Sequence, residues 1–141
     1  MSLYLECPKK YTDYVWQIVD YLDMGNLEGS IYITTKSNLT DHGLAFGDEE
    51  EVEVHISTNR EVNSGIWDER HTLAHEMVHV KQHLMGDFGE DQGSYTLYKN
   101  KKYHDSLSRE NQPWEVEADK IEVEIMKFLF PNGHRGKPSK I

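Results

Sequence analysis

The sequence predicts an α+β fold in which a small N-terminal sheet precedes two long helices. Val52, Val54 and Ile56 alternate with polar residues, as in a strand that buries one face. Apolar residues then recur every three to four positions in two segments, residues 71 to 85 and 113 to 130. With 141 residues the chain can bury a core without disulfide bonds, and we expect one domain over residues 1 to 133.

Upstream of these helices, the sequence predicts one further helix and three strands. Apolar and aromatic residues lie at helical spacing between residues 8 and 24, and Gly25 is a typical stop. Residues 31 to 35 and 44 to 46 are runs typical of strands, and the alternating segment around residues 52 to 56 is the third. The sheet is therefore expected to be complete before the first long helix begins.

The first long helix carries the segment His75-Glu76-Met77-Val78-His79, an HExxH pattern. Four residues advance a helix by little more than one turn, so His75 and His79 project from one face about 6 Å apart and can chelate one ion. Glu76 lies beside them, where it can take a proton from water that the ion acidifies and pass it to a leaving amine. The pattern therefore predicts a zinc hydrolase.

Two further histidines, His71 and His83, share the histidine stripe of this helix. Only the pair His75 and His79 has a carboxylate directly after its first member, so we interpret His71 and His83 as solvated polar positions. His83 also comes too early for the third histidine of an extended HExxHxxGxxH pattern. The other face is predicted to pack against the core and contains Leu73, Ala74, Met77, Val78, Val80, Leu84 and Met85.

A third ligand is expected from the second long helix, which begins at Pro113 and is closed by Pro131 and Gly133. Glu115 and Asp119 lie one turn apart on a side that should pack, where carboxylates are rare unless paired or metal-bound. Glu115 is our predicted ligand, and Asp119 is predicted to orient a histidine. Glu117 projects about 200° away, among solvent-facing residues.

Two other ligands, and one explanation of Glu115 that needs no metal, remain open at this stage. Glu117 and His104 are competing ligands. An acidic first turn stabilised by the helix dipole would also account for Glu115 without any metal.

In its HExxH segment and its Glu115-x-x-Ala118-Asp119 segment, the chain resembles the gluzincin branch of the zincin-like metallopeptidases. The likeness covers roughly residues 50 to 131 and is strongest to small ImmA/IrrE-like and phage-encoded putative metallopeptidases. Residues 72 to 76 match the usual lead-in, and residues 113 to 118 are similar to a PWExEA segment of phage members. Val78 stands where the ImmA group usually has Gly, which favours the zincin-like class over a subfamily.

The resemblance implies a compact zincin-like domain in which His75, His79 and Glu115 bind Zn²⁺ and Glu76 is the general base or acid. The implied function is hydrolysis of peptide bonds. In such proteins the strand before the metal helix typically edges the cleft and pairs with an extended peptide, although an ordinary edge strand accounts equally well for this sequence. A catalytically inert regulatory or interaction module with the same site is the alternative, and a closed structural zinc site is a third possibility, disfavoured because clustered cysteines are lacking.

The polar segment between the two long helices, residues 87 to 112, is a candidate source of an oxyanion donor. Residues 95 to 98 could form a short strand. Side chains from this segment could stabilise the negative charge that develops on a carbonyl under attack. The candidates are Tyr95, Tyr98, Tyr103 and His104.

Composition restricts partners and location. The net charge of −10 disfavours nucleic acid as a partner, and a peptide or protein substrate is expected instead. The single cysteine, Cys7, permits no internal disulfide, and neither a signal peptide nor a transmembrane run is evident, so we expect a cytoplasmic protein that does not engage a membrane. Residues 134 to 141 are predicted to be a flexible basic tail. Oligomeric state has no sequence signal.

Overall fold

The computed structural model describes residues 2 to 90 and 93 to 132, in which the chain forms six strands and three α-helices. Short 3₁₀ turns at Lys9–Tyr11 and Arg109–Asn111 precede the first and third helices. The predicted α+β class is confirmed, whereas Gly133 and the predicted basic tail lie outside the described residues. In chain order the elements are β1 (Leu3–Glu6), α1 (Thr12–Tyr21), β2 (Gly29–Lys36), β3 (Gly43–Gly47), β4 (Glu51–Ser57), α2 (Ile66–Leu84), β5 (Tyr95–Tyr98), β6 (Lys101–His104) and α3 (Pro113–Leu129).

Four of the strands form a mixed sheet in the order β1-β2-β4-β3. β1 and β2 are parallel, β2 and β4 are parallel, and β3 runs antiparallel to β4 at the edge. The interpretation of β4 as an edge strand was wrong, because β2 and β3 pair with its two sides. Alternate residues of β2 and β4 enter the core with at most 2% of their surface exposed, and these are Ile31, Ile33, Val52, Val54 and Ile56.

α2 is buried around most of its circumference because the sheet covers one side and α3 packs on another. Leu73 and Met77 lie in the core as predicted, but Met85, assigned to the same face, follows the last helical residue and is 54% exposed. The histidine side lies between β3 and α3 and lines a cleft, so it is not the fully solvated polar face that the periodicity predicted. Among the described residues no helix is both long and apolar enough to cross a bilayer.

α1 is shorter than predicted. It ends at Tyr21, and Asp23 adopts a left-handed conformation with φ 56°, so the helix stops before Gly25. β1 and β6 were not predicted. Lys99 and Asn100, the two residues between β5 and β6, both have positive φ, as in a type I′ turn that joins a tight hairpin.

Candidate metal centre

The three predicted ligands converge from two helices. The Nε2 atoms of His75 and His79 are 3.2 Å apart, and Glu115 places Oε1 3.0 Å from His75 Nε2 and Oε2 3.2 Å from His79 Nε2. Ligand atoms in a tetrahedral zinc site lie about 3.3 Å from one another, given metal–ligand distances of 2.0 to 2.1 Å. These residues are therefore close enough to bind a metal ion, and their spacing and chemistry fit zinc.

Local sequence explains why the two helices present these side chains to one point. His75 and His79 are one turn apart on α2. Glu115 lies in the first turn of α3, which begins at Pro113. Ala118, one turn after Glu115, is fully buried, and its small side chain lets α3 approach α2 closely. Trp114 anchors the start of α3, and the rings of Phe88, Tyr98 and Tyr103 lie within 5.8 Å of it.

The second ring nitrogen of His75 faces carboxylates of α3. Its Nδ1 lies 3.1 Å from Glu122 Oε1 and 3.3 Å from Asp119 Oδ1, so the predicted orienting role falls mainly to Glu122. Asp119 is within reach, but the guanidinium of Arg109 donates to both of its oxygens at 2.8 and 3.0 Å. With Nδ1 donating to a carboxylate, the neutral form of His75 has its lone pair on Nε2, where a metal could bind.

The second ring nitrogen of His79 faces an amide that sequence reasoning missed. His79 Nδ1 lies 2.7 Å from Gln82 Oε1, and Gln82 Nε2 donates to Glu117 Oε1 at 2.8 Å. The interpretation of Glu117 as solvent-facing was therefore wrong. It is half-buried because the C-terminal part of α2 and Tyr98 of β5 cover that side of α3.

The charges in the cluster are strongly coupled. Burial lowers the pKa of His75, but hydrogen bonds to Glu115 and Glu122 outweigh it and raise that pKa to about 10. Burial raises the pKa of Glu115 and of Glu122, yet the facing histidines hold the pKa of Glu115 far below 4.5 and bring that of Glu122 to about 2. The carboxylates therefore stay ionised, and their charge favours either protonated histidines or a bound metal cation.

The side chain of Glu76 projects from α2 toward the edge strand β3. Burial raises the pKa of its carboxyl group, while the neighbouring His79 and His75 oppose this effect. A Cβ atom at Gly43 of β3 would lie 3.1 Å from Glu76 Cγ and 2.7 Å from Thr72 Cγ2, so β3 passes the base at the closest approach that glycine permits. A base of raised pKa beside two possible ligands suits proton transfer near neutral pH.

A cleft of about 640 Å³ opens over this cluster. Its walls come from β3 and the segment before it, from α2, and from α3 with the preceding turn. Arg109 is the one lysine or arginine among the described residues that line it, and it donates to Glu115 Oε1 at 3.0 Å. The lining residues are Asp41, His42, Gly43, Leu44, Ala45, Asn63, Asp68, His71, Thr72, His75, Glu76, His79, Arg109, Glu115, Asp119 and Glu122.

The predicted oxyanion donors are not brought to the cleft. Tyr95, Tyr98, Tyr103 and His104 lie on the β5–β6 hairpin, and none of them lines it. Tyr98 and Tyr103 pack on Trp114, and the rings of Tyr95 and His104 meet edge to face. His104, a competing ligand in the sequence, is exposed, and its Nδ1 faces the Ser106 hydroxyl at 2.7 Å.

The two histidines assigned to a solvated face have structural partners instead. His71 Nδ1 lies 3.0 Å from Glu122 Oε2, so Glu122 bridges His71 and His75. His83 bonds to the backbone of Ala45 in β3, and burial lowers its pKa. The periodicity placed both residues on the correct stripe but could not show that β3 and α3 cover it.

With the geometry established, comparisons of this chain with protein families, curated proteins and solved structures find no match.

Proposed function

We propose that this chain is a zinc-dependent metallopeptidase with a zincin-like fold, in which His75, His79 and Glu115 hold the metal and Glu76 is the general base. The observation that carries the proposal is the convergence of these three donors beside a buried carboxylate in an open cleft. A purely structural zinc site would need neither the base nor the opening.

The chain's own residues divide the chemistry between them. When bound, zinc would supply a Lewis acid that lowers the pKa of water toward 7 and polarises a carbonyl group. Glu76 takes the proton from water and later delivers it to the departing amine. Glu122 holds His75 in the tautomer that exposes Nε2. Arg109 lies at the cleft wall, where its guanidinium can stabilise the negative charge that develops on the carbonyl oxygen under attack.

The edge of β3 supports a peptide as substrate. Its hydrogen bonds to β4 begin at the pair His42 and Ser57 and end at the pair Asp48 and Glu51. Because such bonds alternate along an antiparallel pair, the backbone groups of Gly43, Ala45 and Gly47 point away from β4. His83 bonds to the backbone of Ala45, so the accessible pairing position is Gly43, which lines the cleft beside Glu76. An extended peptide pairing at Gly43 would lie over that carboxylate.

The experiment that separates a peptidase from an inert zinc-binding module is the Glu76→Gln variant. We expect it to keep wild-type zinc content, because Glu76 is not a ligand, and to hydrolyse unstructured protein substrates at least about 100-fold more slowly. Glu124→Gln, on an exposed position of α3, is the matched control and should cleave normally.

Two results would count against the proposal. Equal cleavage by wild type and Glu76→Gln would assign any proteolysis to another site. If neither protein cleaves a broad peptide library while both hold zinc, the inert module becomes the better description.

A further inference from the structure

We propose that Gln82 is a positioning residue that fixes the imidazole of His79 for metal binding and links that ring to α3 through Glu117. The inference rests on the proposed metal centre and assigns a role to a side chain that the HExxH pattern does not contain. Gln82 lies three residues after His79 on α2 and is only 2% exposed.

The orientation of the Gln82 amide follows from the chemistry of its neighbours. Its Nε2 lies 3.1 Å from the carbonyl oxygen of Trp114 and 2.8 Å from Glu117 Oε1. Both groups only accept hydrogen bonds, so the NH₂ end of the amide must face them. Its oxygen is thereby turned toward His79 Nδ1, 2.7 Å away.

That orientation determines which nitrogen of His79 carries a proton. An amide oxygen cannot donate, so His79 Nδ1 must bear a hydrogen, and in the neutral ring the lone pair is then on Nε2, which faces His75 and Glu115. A ring rotated or protonated the other way would present an N–H to the metal position. Gln82 therefore selects the tautomer that binds metal.

A neutral amide suits this position better than a carboxylate. The carboxylate of Glu117 already lies against the Gln82 side chain. The hydroxyl of Tyr98 in β5 lies 3.4 Å from the same Glu117 oxygen. A second carboxylate in place of Gln82 would face Glu117 at hydrogen-bond distance with no proton between them. The amide instead donates to Glu117 and accepts from His79, so the ring is held without a further negative charge.

Gln82→Leu is the main test, with Gln112→Leu as its matched control. The Gln112 amide also donates to a backbone carbonyl, that of Leu107 at 2.9 Å, near the start of α3, but it contacts no histidine. We expect Gln82→Leu to weaken zinc affinity 10- to 100-fold, the usual cost of losing a partner of a metal-bound histidine, measured by competition with a chromophoric chelator. Gln112→Leu should stay within about threefold of wild type, since no ligand loses its partner.

A spectroscopic readout separates positioning from general loss of structure. In ¹⁵N-labelled, zinc-loaded wild type, the His79 Nδ1 proton should give a downfield resonance that exchanges slowly with water. In Gln82→Leu that resonance should move upfield and exchange rapidly. An unchanged His79 signal in this variant, or equal losses of affinity for Gln82→Leu and Gln112→Leu, would overturn the proposal.

Variants of Glu117 test the same linkage even if Gln82→Leu does not fold. Glu117→Gln keeps an oxygen that can accept from the Gln82 amide, so zinc affinity should fall by less than in a variant that has no acceptor. Glu117→Leu removes the acceptor and should weaken affinity about 10-fold, the lower end for such partners. If Glu117→Gln weakens affinity as much as Glu117→Leu, Glu117 acts through its charge and the linkage is wrong.

A wild type that binds no zinc would refute the metal centre itself, whereas normal zinc content with no effect of these variants would refute only the role of Gln82.

Discussion

At the scale of single residues, Glu115 is the group on which the site depends most. Its two carboxylate oxygens lie 3.0 and 3.2 Å from the two histidine Nε2 atoms, so one side chain faces both ligands. Its charge is maintained because the histidines hold its pKa far below the ordinary value of 4.5, against the effect of burial. Glu117, two residues later, faces Gln82 instead and reaches the site only through that amide.

We therefore expect Glu115→Ala to weaken zinc affinity at least about 100-fold, beyond the range for residues that only orient a ligand. Glu117→Ala should weaken it about 10-fold or less. Chelator competition on both purified variants measures the ratio. Equal losses, or a larger loss for Glu117→Ala, would contradict the assignment of the third ligand.

The sequence predicts residues whose position follows from spacing within their own helix, such as His75 and His79 on α2 and Glu115 on α3. It predicts poorly the partners of the other ring nitrogens, because these depend on how α2 crosses α3. Asp119 was expected to orient a histidine. Instead Glu122 lies closer to His75, and Arg109 forms hydrogen bonds to Asp119. Gln82 gave no signal, since a glutamine on an amphipathic helix is usually an exposed polar residue.

At the scale of elements, the contact between β3 and α2 sets the position of Glu76, the proposed base. A Cβ at Gly43 would meet Thr72 Cγ2 at 2.7 Å and Glu76 Cγ at 3.1 Å. Interiors are close-packed and do not absorb such an overlap without moving a side chain or the strand. Gly25, in the turn after α1, has nothing within 4 Å of the same position.

Gly43→Ala is expected to destabilise the fold by about 1 to 3 kcal/mol, the usual cost of overpacking, and to slow catalysis by displacing Glu76. Zinc content should stay at the wild-type level because no ligand moves. Gly25→Ala should leave stability within about 0.5 kcal/mol of wild type. Urea titrations and rates on one peptide measure both effects, and a Gly43→Ala protein as stable and active as Gly25→Ala would contradict the close approach.

Elements with strong local signals were predicted, and those defined by distant pairing were not. α3 follows from Pro113 at its start and a regular apolar repeat, and its observed end at Leu129 is one residue before the predicted one. β1 is four residues long and exists through parallel pairing with β2, more than 20 residues away. The hairpin turn at Lys99 and Asn100 lacks the usual Asn-Gly signal, so β6 had no local signature.

At the scale of the whole molecule, the cluster of histidines and glutamates at the proposed metal centre makes stability depend on pH. In the metal-free protein, the pKa of His75 lies near 10 when folded and at its ordinary 6.5 when unfolded. A raised folded pKa contributes stability that is present below pH 6.5 and is lost as the pH rises to about 10. The pKa of Glu122, about 2 against an ordinary 4.5, contributes stability that is lost as the pH falls through that range.

The metal-free protein should therefore be most stable between about pH 4.5 and 6.5 and should lose stability toward pH 10. Zinc binds only histidines that have lost the proton from the coordinating nitrogen. The stabilisation that zinc confers should therefore grow as the pH rises above about 6.5. Denaturant titrations with and without zinc from pH 5 to 9 test this. A metal-free stability that rises steadily across that range, or a zinc effect that shrinks, would be inconsistent with the coupled cluster.

The measurement that tests the central claim most directly is the zinc content of wild type, His79→Ala and His83→Ala, determined by elemental analysis. His83 lies one turn beyond His79 on the same helix, but it bonds to the backbone of Ala45 and is not a ligand. We predict about one zinc per chain for wild type and His83→Ala, and little for His79→Ala. Full zinc retention in His79→Ala, or an equal loss in His83→Ala, would contradict the assignment of the metal centre.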